Sequence, residues 1–182
     1  ALSSAASDVY KRQWLDTAGG SVFAALVGKM LPLVVMMLLM TLTMFLILFK
    51  IVGVPLNGSL TALLFGCMLF VLAYMAIGVL IVTLLSNLRL SLSIGGGYSV
   101  LAFTFSGLTF PMMAMYPWVQ AFSKIFPFTF YTDIFIDQAL RGAPVVDSLW
   151  DMGYIALFIV LPMLCLPRLR KICSDEKYWG RM

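Results

Sequence analysis

Two uninterrupted apolar runs, Met30 to Phe49 and Leu60 to Leu85, constrain this chain more than any other feature. A run of roughly 20 apolar residues makes about 30 Å of helix, which matches the hydrocarbon thickness of a bilayer. Inside that hydrocarbon every backbone N–H and C=O must be paired within protein, and a helix does so locally. The rest of the chain agrees: 62% of its 182 residues are hydrophobic and 11% charged, against about 25% charged in soluble domains, and mean hydropathy is +1.02. The expected fold is an all-α, polytopic membrane protein.

Four crossings are expected, at about 30–49, 60–85, 91–110 and 149–166. Lys29 marks the start of the first, and Pro32 then falls in a first turn, where proline is tolerated. Its methionines (Met30, Met36, Met37, Met40 and Met44) read as lipid-facing or gap-filling side chains. Lys50 to Ser59 is a turn, and its Asn57-Gly58-Ser59 sequon is short enough to arise by chance. Gly66 and Gly78 are close-packing positions on the second crossing. The third carries Gly95-Gly96-Gly97 with Ser99, Thr104, Ser106 and Thr109, a composition suited to packing on another helix or to a flexible break. Ala143 to Ser148 connects to the fourth crossing, Asp151 lies near that crossing's outer edge, and Pro167 opens a basic tail over 167–182.

Between the third and fourth crossings lies a stretch, 111–142, that is apolar yet cut by Pro111, Pro117 and Pro127. No piece of it is long enough to span. Each proline suits a first helical position, so the stretch predicts two short helices, Pro117 to Phe126 and Pro127 to about Leu140, dipping into one interface as a re-entrant hairpin. On the first, Trp118, Phe122 and Ile125 share one side. On the second, Thr129, Asp133, Asp137 and Arg141 recur at steps of four against Phe128, Tyr131, Ile134, Phe135 and Ile136. Asp137 and Arg141 have the favourable acid-before-base order, and Gly142 followed by Pro144 is a helix stop. A carboxylate at the bilayer centre costs about 2.5 to 3.5 kcal/mol, so two of them place this helix at the interface or facing a covered cavity.

Charge sets the orientation. Lys29, Arg89, Arg168, Arg170, Lys171, Lys177 and Arg181 fall on one side of four crossings, against Lys50, Lys124 and Arg141 on the other. The positive-inside rule puts both ends in the cytoplasm and the re-entrant stretch outward.

Several chemistries are excluded. There is no histidine, and Cys67, Cys165 and Cys173 have no ligand spacing, so neither a metal site nor a disulfide framework is expected. Gly28-Lys29 has Phe23 where a Walker A glycine belongs and Met30 where Ser or Thr belongs. The glycine triplet likewise lacks a following Lys-Ser or Lys-Thr. The chain is expected to bind no cofactor, hydrolyse no ATP and carry no catalytic residue, and its basic surplus reflects membrane topology rather than nucleic-acid binding. Ala1 to Gln13 differs from the rest, and its DVYKRQ resembles a translated transposase end used in library preparation. It is expected to be a sequencing scar, with the native gene extending upstream of Trp14.

A glycine-bearing segment ending in Gly28-Lys29 before a crossing, then Ser106, Gly107, Phe110 and Pro111, then Pro117, Pro127 and Gly142, resembles the carboxy-terminal half of a type-2 ABC transporter permease. The resemblance covers Trp14 to Arg170. It implies a fragment of a six-helix permease whose third to sixth crossings are the four above. It implies a homodimer or paired permease bound to a separate ABC ATP-binding subunit that uses ATP, with room for a periplasmic membrane-fusion adaptor, in a bacterial inner membrane. Carried onto this chain, the coupling helix facing the ATPase is Trp14 to Leu26, with Trp14, Leu15, Asp16, Val22, Phe23 and Leu26 as contact residues. The outer gate is Pro111, Pro117, Pro127, Asp133, Asp137, Arg141 and Gly142. Phe103, Phe110, Met112, Met113 and Met115 suit a pathway for amphipathic, lipid-like or drug-like cargo exported by alternating access, and equally suit ordinary packing. The alternative is a secondary transporter or channel using Asp133 and Asp137 as a proton or ion relay.

Overall fold

The computed structural model describes residues 19, 21–85, 87–109 and 111–163. The expected scar, the coupling residues Trp14, Leu15 and Asp16, the pathway residue Phe110 and the 167–182 tail lie outside the described residues. Those described form helices and no strand: α1 (Val22–Leu46), α2 (Leu60–Leu85), α3 (Leu88–Phe105), α4 (Pro117–Ser123), α5 (Pro127–Phe135) and α6 (Val145–Met163). Among them, three segments are long and apolar enough to cross a membrane: Phe23–Ile51, Leu60–Leu85 and Val145–Pro162. The stretch expected as a third crossing forms the helix α3, which at 18 residues with a glycine triplet and several serines is not among the three.

The first crossing begins earlier than the lysine suggests. Ser21 caps α1 by accepting the Ala24 N–H on its hydroxyl, and the helix runs on through Gly28, Lys29 and Pro32. A single exposed lysine does not end a helix whose neighbours are Ala, Leu and Val, so Val22 to Leu26 belong to the same rod as the crossing. After Leu46 the helix widens into a π turn, Ile47–Ile51, closed by a bond from the Val52 N–H to the Ile47 carbonyl. Gly53, at φ 77°, then turns the chain out of the helix. The last helix likewise starts at Val145, inside the expected connector.

The core lies where α2, α5 and α6 meet. Ala62 and Ala73 of α2, Phe130 and Ile134 of α5, and Met152 and Ile155 of α6 are buried together, with Leu69, Tyr131, Phe158 and Ile159 against them. Small residues on α2 permit the approach. A Cβ on Gly66 would stand 3.1 Å from Ile134 Cγ2, so this glycine holds α5 close as expected, whereas one on Gly78 would meet nothing within 4 Å. The triplet Gly95, Gly96 and Gly97 also faces no neighbour within 4 Å, and α3 passes through it unbroken. The packing expected at the triplet is therefore not made within the described residues.

α3 leans on the assembly through aromatic rings. Tyr98 lies 6.2 Å from Tyr74 and 5.0 Å from Phe126 between centroids, and donates its hydroxyl to the Ile125 carbonyl at 3.2 Å. α1 lies against α2, with Cys67 Sγ donating to Thr41 Oγ1 at 3.6 Å. Its Phe45 reaches Phe135 at 6.4 Å.

Candidate functional site

The stretch broken by prolines forms two short helices, as its sequence predicts. Tyr116 and Phe126 are both extended, the backbone a following proline requires, and Pro117 and Pro127 each open a helix. Side chains stitch the breaks. Gln120 donates through Nε2 to the carbonyls of Met112 at 2.9 Å and Met115 at 3.0 Å, closing the short 3-10 turn Met112–Ala114 onto α4. Ser123, fully buried, donates to the Gln120 carbonyl, and Thr129 donates to the carbonyl of Ser123 at 2.8 Å across the elbow. Of the apolar side of α4, Phe122 packs edge-on against Phe105 and Phe126, while Trp118 is 72% exposed.

The polar stripe of α5 descends from core to surface. Thr129 is buried, Asp133 half-buried, and the side chains of Asp137 and Arg141 are 19% and 71% exposed. The predicted pair is made, with Arg141 Nη1 2.9 Å from Asp137 Oδ1. Burial pushes the Asp133 carboxyl above the usual carboxylate range, the charge of Asp137 adds to this, and Arg141 and Lys124 oppose it. Asp151 of α6 lies close enough to feel the charges of both. The sequence placed Asp151 at the edge of a crossing without joining it to the other two, because it is 18 residues from Asp133. No group of three metal-ligating side chains occurs among the described residues.

On its other flank α5 is aromatic. Tyr131 stacks on Phe70 of α2 at 4.6 Å, Phe128 reaches Phe70 at 5.6 Å and Phe103 of α3 at 6.0 Å, and Phe130 stacks on Tyr154 of α6 at 5.0 Å. The expected pathway residues do not share one environment. Phe103 is exposed apart from its contact with Phe128, Met112 is tucked beside Gly107 and Ser123, Met113 projects outward, and Met115 is half-buried.

One residue that sequence reading passed over ties the site together. After Phe135 the helix widens into a second π turn, Ile136–Arg141, ended by Gly142 at φ 67°. Within it Gln138 is fully buried. Its Oε1 accepts the Ser59 N–H at 3.0 Å, and its Nε2 donates to Ser148 Oγ at 2.9 Å and to the Ala143 carbonyl at 3.2 Å. Its own carbonyl accepts the Gly58 N–H at 2.8 Å, and the Asn57 amide donates to the Leu140 carbonyl at 2.8 Å. Glycine is required at both contacts. A Cβ on Gly58 would stand 2.5 Å from the Gln138 carbonyl oxygen, and one on Gly142 would stand 2.9 Å from that of Asn57. No local signal marks Gln138, since its partner segment is about 80 residues away. Asn57 of the sequon has its amide committed here.

Phe23 and Leu26, the two expected coupling contacts whose side chains are described, line an apolar cavity of about 370 Å³ with Met75 and Val79 of α2 and Ile159 and Pro162 of α6. Of Val22 the structure describes the backbone, as the first residue of α1.

Residues 9–165 match the model of a family described as ABC-2 family transporter protein. No curated protein and no solved structure matches the chain. The match spans most of the 182 residues, and the three apolar helices long enough to cross a membrane fall inside it. The chain therefore belongs to the ABC-2 type transporter family, as a multi-pass membrane permease of an ABC transporter and a transport subunit rather than a catalytic one.

Proposed function

We propose that the chain is the transmembrane subunit of an ATP-driven exporter, moving an amphipathic, lipid-like or drug-like substrate out of a bacterial cell by alternating access. The observation that carries this reading is the proline-broken pair α4 and α5, too short to span, of which α5 is buried against α2 and α6 while α4 lies against α3 through Phe122 and Phe105. On this reading α3 is a further crossing, both ends of the chain face the cytoplasm, and the pair is re-entrant from the outer side of the inner membrane. It acts as the outer gate with Pro111, Pro117, Pro127, Asp133, Asp137, Arg141 and Gly142. The coupling segment, Trp14 to Leu26, meets a separate ATP-binding subunit. The open glycine face of α3 suits close approach by a helix of a second permease copy. A periplasmic adaptor would extend the path outward, and cargo would pass beside Phe103, Phe110, Met112 and Met113.

A second reading, a proton or ion relay through Asp133 and Asp137 in a secondary transporter, is favoured by one observation, the placement of both acids one helical turn apart with Asp137 held by Arg141.

Co-reconstitution with an ABC ATP-binding subunit separates the two. Export of a fluorescent amphiphile that stops when the ATPase's Walker A lysine is replaced, and survives an uncoupler, supports the exporter. Export that needs no ATPase and stops with an uncoupler or with Asp137→Asn supports the relay instead.

A further inference from the structure

Resting on the exporter reading, we infer that Gln138 is the centre of a clasp that holds α2, α5 and α6 as one rigid body throughout the transport cycle. α5, the second helix of the re-entrant pair, is then the fixed jaw of the outer gate rather than a lid that swings free. Opening occurs at the seams that α1 and α3 make with this body.

The distribution of polar bonds carries the inference. Gln138 sits at the foot of α5 with no exposed surface, and each of its side-chain polar atoms is engaged. Its partners are the last residues before α2 on one side, Gly58 and Ser59, and the entry to α6 on the other, Ala143 and Ser148. Ser148 is itself fully buried, so neither member of that bond has water to fall back on. A completely satisfied buried network rigidifies, and parting it would strand several donors and acceptors at once. The two close glycine contacts, at Gly58 and Gly142, leave no slack for the segments to slide. Directly beneath lies the shared core of Ala62, Ile134 and Met152.

The seams differ in kind. Between α1 and α2 Cys67 makes a long thiol to hydroxyl bond to Thr41 at 3.6 Å, and toward the start of α1 the helices part around the 370 Å³ apolar cavity. Between α3 and the re-entrant pair the contacts are ring on ring, with one hydroxyl bond from Tyr98. Apolar surfaces can slide past one another without stranding a polar group. Gln138 is thus a positioning residue, acting through Gly58, Ser59 and Ser148 on the helices that border the path.

Hydrogen exchange on the permease assembled with its ATPase in lipid nanodiscs, without nucleotide and with ATP and vanadate, tests this. Protection of the 57–59 amides is expected to differ by less than about two-fold between the states, while the first turns of α1 and the 106–116 loop change by about tenfold. In Gln138→Ala the 57–59 amides are expected to exchange about tenfold faster and to become sensitive to nucleotide, which a residue that merely adds stability would not cause. Gln138→Glu, which keeps the acceptor for the Ser59 N–H, is expected to restore protection there. Ser148→Ala, a milder change, is expected to loosen 143–148 if Gln138→Ala does not assemble. Loss of protection at 57–59 in the vanadate state of the unaltered protein would overturn the clasp and leave the exporter standing. No change in any segment would overturn the exporter reading and the clasp with it.

Discussion

Gly66 shows how a single missing side chain decides where a helix sits. With 3.1 Å between a Cβ there and Ile134 Cγ2, Gly66→Val forces either α5 or Ile134 to move, and overpacking of this kind costs typically about 1–3 kcal/mol. Gly78→Val, facing open space, is expected to change stability by no more than about 0.5 kcal/mol. Thermal unfolding of both variants in one detergent measures the contrast. Asp133 is a different kind of residue, since its raised carboxyl means that the folded protein disfavours its charge. Its protonated form is the better tolerated one, so its contribution to stability is most favourable at low pH and falls as pH rises from the ordinary carboxylate range through the raised value. Asp133→Asn is therefore expected to raise the unfolding midpoint at pH 7.5, with the gain shrinking as pH falls. A gain independent of pH would contradict this origin.

At the scale of elements, the short helices depend on side chains that bridge their breaks. Gln120 serves two carbonyls of the 112–115 turn. Gln120→Ala leaves both without that donor, which is expected to cost about 1–3 kcal/mol. Faster hydrogen exchange confined to 112–116 would locate the effect, and exchange that rises equally in α2 would contradict it. Much of this level was legible in the sequence. The apolar run Leu60 to Leu85 is the helix found, the two prolines open the helices they were expected to open, and Asp137 meets Arg141. Charge misled at Lys29, because one cation on an exposed helical face does not stop the backbone pattern. The connector before α6 was drawn too long for a similar reason, since Asp147 is tolerated in a helix's first turn. Gln138 was not legible at all, because its importance comes from a loop brought to it by the packing of α2 against α5.

For the whole molecule, the family and the membrane character were readable from composition and from the proline and glycine pattern, and the match over 9–165 agrees. The buried core of α2, α5 and α6 was not, because an apolar helix in a membrane protein gives little sign of which face meets protein and which meets lipid. The proposed exporter depends above all on the broken pair entering from the outer side between helices that cross. Sided cysteine labelling in intact cells tests it, with Cys165 and Cys173 first replaced by serine and Cys67 left in place because it is buried. Met113→Cys, at a position almost wholly exposed, is expected to react with an impermeant maleimide added outside. Arg89→Cys, at the start of α3, is expected to react only after permeabilisation. Labelling of Met113→Cys only after permeabilisation, or of both positions from one side, would contradict the account.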